Sequence, residues 1–265
     1  MDKDNVFKSC SFYLDDGDVV HVLIKDFVGD SLSISLNDND GTQEDDTEIT
    51  PYGELYTGIY GALYNWHAAT DARNICSAGC HVPTQAEFDI LADNLGGAAV
   101  AGGKLKEMGF IYWNDPNIGA TNEVGFYGRG GGRRGNAGVF QNLKLSGAFI
   151  TSDEYDATEF WSRYIYYNLT IVYSGNDKKF WGLSLRPIKD STTLTHGQTG
   201  VYHGNDDKLY STIAIGDPAQ EWIACNLAET KYRNGDLIPE VTDNDEWAAL
   251  ETGALCAHNN NWDNV

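Results

Sequence analysis

Thr84-Gln85-Ala86-Glu87-Phe88-Asp89-Ile90-Leu91-Ala92-Asp93-Asn94-Leu95-Gly96-Gly97 carries both ends of a helix in one line. Thr84 followed three residues later by Glu87 is a capping box, in which each side chain satisfies a backbone N–H at the helix start. Phe88, Leu91 and Leu95 recur at helical spacing and give one apolar face. Gly96-Gly97 stops the helix. A second helix is expected near Asp243–Leu250, with Trp247 and Leu250 inward and Gly253 closing it. The chain between them is Gly- and Asn-rich, with short strands and long loops. Two helices among many short antiparallel strands predict an α+β fold.

Upstream, residues 6–36 read as short strands. Val19, His21 and Leu23 alternate with Val20, Val22 and Ile24, and Ser31-Leu32-Ser33-Ile34-Ser35-Leu36 alternates strictly. Asp15-Asp16-Gly17-Asp18 has the composition of a turn. Asn37 to Glu48 is an acidic linker, and Leu36 stands where a calcium loop needs its first Asp. Tyr52-Gly53-Glu54-Leu55-Tyr56 is echoed by Tyr60-Gly61-Ala62-Leu63-Tyr64, but two copies do not make a solenoid.

The 265 residues carry 39 acidic and 18 basic side chains, a net charge of −21. That balance argues against nucleic acid, whose phosphates require clustered Lys and Arg, and against an anionic membrane surface. Residues 1–50 hold 13 acids against 3 bases and residues 201–265 hold 12 against 3, so the middle is nearly neutral. The N-terminus shows no secretory signal, and no apolar run is long enough to span a membrane. The protein, made in the host cytoplasm, is therefore expected to stay in the cytosol or to leave by a route needing no cleaved signal, such as release in a virus particle.

The sequence shows no catalytic constellation. Cys10, Cys76, Cys80, Cys225 and Cys256 are scattered, and no second close pair completes a zinc site around Cys76 and Cys80. The six histidines (21, 67, 81, 196, 203 and 258) show no metal-ligand spacing. Gly128-Arg129-Gly130-Gly131-Gly132-Arg133-Arg134-Gly135 lacks the Gly-Lys-Ser/Thr of a phosphate loop and reads as a tight turn inside the domain. No metal and no cofactor are expected, and the reading is non-enzymatic.

One segment looks like a binding surface. In Phe160–Tyr173 the odd positions give Trp161, Arg163, Ile165, Tyr167, Leu169 and Ile171, and the even ones give Ser162, Tyr164, Tyr166, Asn168 and Thr170. An extended strand would bury the first set and display the second. Tyr, Ser, Asn and Thr form the mixture favoured in antibody binding loops. Tyr173-Ser174-Gly175-Asn176-Asp177-Lys178 extends that surface, so the candidate ligand-binding residues are Ser162, Tyr164, Tyr166, Asn168, Thr170, Tyr173 and Asn176.

Several motifs occur in a recognisable order: Tyr60-Gly61-Ala62-Leu63-Tyr64-Asn65-Trp66, Gly79-Cys80-His81-Val82-Pro83-Thr84 and Ala101-Gly102-Gly103-Lys104-Leu105-Lys106-Glu107. They are followed by Asn117-Ile118-Gly119-Ala120-Thr121-Asn122-Glu123-Val124-Gly125-Phe126 and Trp181-Gly182-Leu183-Ser184-Leu185-Arg186-Pro187. Over roughly 57–190 the chain resembles the Fibrobacter succinogenes major paralogous domain. The resemblance implies a C-type-lectin-like fold, used in phage tropism determinants and in display proteins diversified by retroelements. Their variable patch falls on 162–178 here. The family's opening half resembles segments at the other end: Gln220-Glu221-Trp222-Ile223-Ala224-Cys225-Asn226-Leu227, Lys231-Tyr232-Arg233-Asn234-Gly235, and Asp245-Glu246-Trp247-Ala248-Ala249-Leu250 through Asn259-Asn260-Asn261. The halves therefore look circularly permuted, completing one another within one molecule or by exchange between copies. The resemblance also implies a Cys76–Cys256 disulfide. Cys80 stands where the family usually has Trp. Trp113-Asn114-Asp115 has the letters of a calcium motif but matches a family segment without that role.

The expected organisation is a β attachment region and acidic linker at 1–50, one lectin-like half at 51–190 and the other at 191–265. The expected function is a virion-associated display or adhesion protein, a phage fibre, decoration or receptor-binding component. Residues 1–50 would dock on other virion proteins, the Tyr-rich face on a host surface glycan or protein, and the chain would form a homo-oligomer. The rivals are a structural capsid or tail protein using the fold as a spacer and a bacterial cell-surface adhesin. An enzyme related to formylglycine-generating oxidases would need a reactive pair, for which Cys76 and Cys80 are the candidates.

Overall fold

The computed structural model describes residues 9–13, 19–27, 32–35 and 55–265. The Asp15–Asp18 turn, the Asn37–Glu48 linker, Cys10's side chain and the first residues of the tyrosine echo lie outside the described parts. The chain divides into two compact units, Met1–Pro51 and Tyr52–Val265. In the first, β1 (Ser9–Tyr13), β2 (Val19–Phe27) and β3 (Leu32–Ser35) pair as an antiparallel sheet in that order.

The second unit runs β4 (Leu63–Tyr64), α1 (Trp66–Ala69), β5 (Cys80–His81), α2 (Gln85–Asn94), α3 (Ala98–Leu105), β6 (Arg133–Arg134), β7 (Phe140–Gln141), β8 (Ser146–Glu154), β9 (Glu159–Tyr166) and β10 (Val172–Lys178). It continues with β11 (Ile188–Lys189), β12 (Thr199–His203), β13 (Leu209–Gly216), β14 (Ala219–Ile223), α4 (Asn244–Ala248) and β15 (Leu255–Cys256). Strands β12-β13-β14-β11-β5 form one sheet, β10-β9-β8 a second, and β15-β4 and β6-β7 two short ribbons, all antiparallel. The architecture is mixed helix and strand with antiparallel sheets.

The two expected helices are present. Thr84 Oγ1 accepts from Glu87 N–H while Glu87 reaches back to Thr84 N–H at 2.7 Å, closing the capping box of α2. Asp243 caps α4 from one side only, accepting from Glu246 N–H at 2.9 Å, with Trp247 buried. That helix ends at Ala248, so the expected closure at Gly253 is corrected, and Leu250 is half-buried beyond the helix. The expectation of only two helices is corrected: α1 and α3 are also formed. Gly96 and Gly97, both at φ +94, end one helix, and Gly97 caps the start of the next. The glycines of α3 that look like loop residues serve packing. A Cβ on Gly102 would lie 2.3 Å from Ile171 O, and one on Gly103 2.5 Å from Gly119 O.

Strands from the C-terminal stretch complete sheets begun upstream in the same chain: Ile188 of β11 pairs with Trp222 of β14, and Leu255 of β15 with Tyr64 of β4. Trp222 fills the core between the sheets, its ring 4.8 Å from Phe88 and 6.1 Å from Phe126. Asn65 ties the same parts together, accepting from Ala254 N–H at 3.0 Å and donating to Thr252 O at 2.7 Å.

The expected Cys76–Cys256 disulfide is not formed. Cys76, Cys80, Cys225 and Cys256 are free thiols. Cys76 packs with Ile75 and Tyr202 in one apolar cluster, and Cys256 with Leu63, Val241 and Trp247 in another. Pairing through β15 fixes Cys256 beside Leu63, so its environment is set by the ribbon and not by a covalent bond.

His81 on β5 lies between Asp190 (2.6 Å) and Glu87 (2.7 Å) and joins β11 to the start of α2. Burial lowers its affinity for a proton, but the two carboxylates outweigh that and raise it above its ordinary 6.5. The stability contributed by its protonation is present below the unfolded value and is lost as pH rises through the folded one. Thermal melts from pH 5.5 to 8.5, which bracket the ordinary histidine value of about 6.5, should fall with pH in the native chain. His81→Gln should remove that share of the slope, and an unchanged slope would show that the pair contributes nothing.

Candidate functional site

The Tyr-rich segment builds β9, the turn after it and β10. In β9–β10 the cross-strand partners include Tyr164–Tyr173, Ser162–Gly175 and Phe160–Asp177. Partners directly opposite share a face. The face holding Trp161, Arg163 and Ile165 packs toward the helices, where Arg163 Nη2 donates to Asp89 at 2.7 Å and to Gln85 O at 3.1 Å. The opposite face holds Ser162, Tyr164 and Tyr166.

That second face corrects the expected display of Ser162 and Tyr164, because both are buried, at 0% and 3% exposure. β9 is the central strand of its sheet and this face packs into the core, where Tyr164 and Phe160 join Ala148, Ile150 and Leu183, so alternation does not separate water from core there. Ser162 Oγ and Tyr164 Oη both donate to Asp177 Oδ2 at 2.6 Å, and Arg133 Nη1 donates to Tyr164 Oη at 3.1 Å. Burial raises the Asp177 carboxyl above its ordinary range, although both hydroxyls and Arg133 pull the other way. Burial and Asp177 also push the Tyr164 phenol well up, so it remains a hydroxyl donor. These groups form a rigid polar floor, not a contact surface.

The remaining expected residues reach solvent to different degrees. Asn168, Tyr173 and Asn176 are exposed, and Tyr166 and Thr170 are half-buried. Thr170 Oγ1 is spent on Ala99 O at 2.8 Å, which secures the turn to α3. Asn176 donates to Glu159, which also pairs with Lys178 at 2.6 Å. The predicted inward set changes as well: Leu169 is exposed, and Trp161, Tyr167 and Ile171 are half-buried. β9 ends at Tyr166, and a two-residue period has no meaning through the turn that follows.

The structure adds residues that the alternation did not indicate. Arg133 on β6 lies with its guanidinium 4.4 Å from the Trp181 ring centroid, and Trp181 Nε1 donates to Asn136 at 3.2 Å. Tyr166 stacks on Tyr164 with centroids 5.8 Å apart and planes 10° apart. Tyr166, Tyr173, Arg133, Trp181 and Asn136 thus surround the Asp177 floor with aromatic faces, one cation and one amide. Arg133 belongs to the glycine–arginine run, which is internal as expected but extended rather than a turn. Gly128 and Gly132 bridge to Lys106 and Gly147, Arg133–Arg134 form β6, and Gly132 at φ +65 lies too close to Gln141 O for a side chain.

Elsewhere the chemistry is quiet. Cys76 and Cys80 are buried, and burial pushes the Cys80 thiol up to about 12, away from the thiolate a nucleophile needs. Trp113 is buried and donates to Gly128 O at 3.0 Å, while Asn114 and Asp115 face solvent. Among the described residues no three His, Cys, Asp or Glu side chains converge as a metal would require, and no helix is long and apolar enough to cross a membrane.

The family model of the Fibrobacter succinogenes major domain matches residues 27–199, which covers the 57–190 motifs and every residue of the platform but not the 220–261 segments read as the family's opening half. No curated protein and no solved structure matches the chain.

Proposed function

The chain belongs to the Fibrobacter succinogenes major domain family, and from that premise we propose that it is a non-enzymatic display protein contacting a host surface glycan or protein. The observation that carries this reading is the platform of Tyr166, Tyr173 and Trp181 around Arg133, fixed from beneath by the Tyr164–Asp177–Ser162 network. Half-exposed aromatic faces beside amides supply large contact area at low entropic cost, and the buried floor keeps them in place. Sugars and protein loops both suit such a surface, stacking on the rings and hydrogen-bonding to Arg133 and Asn136.

The finer reading of the fold is a C-type-lectin-like domain with its halves permuted within one chain. Supporting it, α2 and α3 flank antiparallel sheets joined by long loops, and residues 199–256 supply strands to sheets begun by 63–189. The proposed setting is the surface of a bacteriophage particle. There the Met1–Pro51 unit would dock on other virion proteins while the second unit displays the platform.

Glycan arrays and adsorption to intact bacterial cells test the reading with Tyr166→Ala and Trp181→Ala. Each should weaken binding at least about tenfold, equivalent to roughly 1.4 kcal/mol, with a smaller fall in melting temperature than a core truncation, because both rings are only half-buried against the core. Tyr164→Ala should instead lose stability, because Tyr164 is core. Equal binding by the native chain and both surface variants would sink the display reading, and a particle in which another subunit buries the platform would favour a spacer.

A further inference from the structure

The two sheets of the second unit treat their edges differently. β8 is covered on its outer side: Ile150 N–H donates to Ser184 O, Ser184 N–H to Ala148 O, and Gly132 N–H to Ser146 O. β5 is two residues long, and Lys189 Nζ sits on Val201 O of β12 at 3.2 Å. β10 is different. Its seven residues pair with β9 without a bulge, and it contains no proline.

The alternation of bonds along β10 shows which groups are free. Lys179 N–H donates to Thr158 O just beyond the strand, so every second residue from there, Asp177, Gly175 and Tyr173, exchanges backbone bonds with β9. Val172, Ser174 and Asn176 turn their N–H and C=O groups outward, and among the described residues none of these groups has a backbone or side-chain partner. A flat, open edge of this length is ordinarily blocked by charge, proline or a bulge, and none of these interrupts Val172–Asn176.

We propose that β10 pairs antiparallel with β10 of a second copy of this chain about a two-fold axis, joining two β8-β9-β10 sheets into one continuous sheet. The strand is self-complementary when centred on Ser174. Ser174 then faces its counterpart, Val172 faces the partner's Asn176, and all three outward residues exchange both backbone groups. Tyr173 lies across from the partner's Gly175, where an aromatic ring covers the bare glycine backbone.

Charge also selects a second copy of the chain. The chain carries −21, so two copies repel over most approaches, but Val172-Tyr173-Ser174-Gly175-Asn176 has no ionised side chain. Lys178 beyond it is neutralised by Glu159 at 2.6 Å. The uncharged edge is where two such molecules meet at least cost. The pairing places two Tyr166–Trp181 platforms on one sheet and makes the display bivalent.

Sedimentation of the full chain over the micromolar range, together with residue-resolved amide exchange, tests the pairing. The native chain should form a dimer that tightens with added salt, as repulsion is screened. Exchange at Ser174 and Asn176 should slow as the dimer fills, while Tyr173 and Gly175 remain protected in monomer and dimer alike. Asn176→Pro deletes one outward N–H and leaves the β9 bonds intact, so it should weaken the dimer about tenfold or more with little change in melting temperature. Asn176→Glu should do the same if the proline variant fails to fold, because it adds a like charge to the uncharged edge beside Glu159. A monomer at every concentration, a dimer unmoved by Asn176→Glu, or protection of Ser174 and Asn176 only on adding an unrelated extended peptide would each overturn the proposal.

Discussion

Replacing Arg134 by Met should destabilise the Tyr52–Val265 unit by about 3–5 kcal/mol, the upper range for breaking a buried hydrogen-bond network. Arg134 has no exposed surface, and its guanidinium is saturated with acceptors. Nε donates to Gly138 O at 2.7 Å, Nη1 to Val241 O at 2.6 Å, and Nη2 to Thr242 O, Asp243 O and Asn244 Oδ1 at 2.8–3.0 Å. The Trp247 and Phe140 rings lie 4.4 and 4.8 Å from it. Met fills a similar volume but donates nothing, so these acceptors would be left in a dry site. Each buried orphan costs about 1–3 kcal/mol, and partial relaxation keeps the total below their sum. The melting temperature should fall on the order of 10 °C for a unit of this size. Arg134→Lys should recover only a minority of the loss, since one ammonium cannot span acceptors spread around a planar fork. A fall below about 1 kcal/mol in denaturant melts would mean that 241–244 does not depend on this residue.

That network shows where sequence reading succeeds and where it stops. Helix caps and glycine-rich runs are local, so α2 and α4 and the internal character of the Gly128–Gly135 run could be read from a few adjacent residues. Arg134 and Arg133 are neighbours in the same run, yet one is sealed in a core and the other flanks the solvent platform. Their difference is set by segments about a hundred residues downstream and by Trp181, which no local spacing encodes. α3 was hidden because its glycines serve a close approach to Ile171 and Gly119, a tertiary cause that overrides propensity. The two-residue period placed Arg163 and Ile165 inward correctly. It failed for Ser162 and Tyr164 because a central strand covered on both sides buries either parity.

The platform's geometry depends in turn on a cation that never reaches it. Lys106 is fully buried, and its Nζ donates to Ile118 O (2.8 Å), Tyr166 O (2.8 Å) and Leu169 O (2.9 Å), clasping the end of β9 and the turn that leads into β10. With no carboxylate beside it, burial lowers its affinity for a proton to about 8. Lys106→Met leaves three carbonyls without a donor but removes the cost of burying a charge, so the net loss near neutral pH should be about 1–3 kcal/mol. The pH dependence separates these contributions. Between about 8 and the ordinary lysine value of 10.5 the unfolded chain holds a proton that the folded chain releases, so this residue adds stability as pH rises across that window. Buried thiols and phenols act in the opposite sense, since burial raises Cys80 and Tyr164 while their unfolded counterparts ionise. Absolute stability therefore mixes opposing slopes, whereas the difference between the native chain and Lys106→Met isolates the lysine. That difference should widen from pH 8 to pH 10. A constant gap would show that Lys106 stays charged in the fold. Ligand adsorption supplies the second readout: loosening the turn misplaces Tyr166 and Tyr173, so Lys106→Met should weaken binding without touching a contact residue. Unchanged adsorption would show that the platform holds its shape without the clasp.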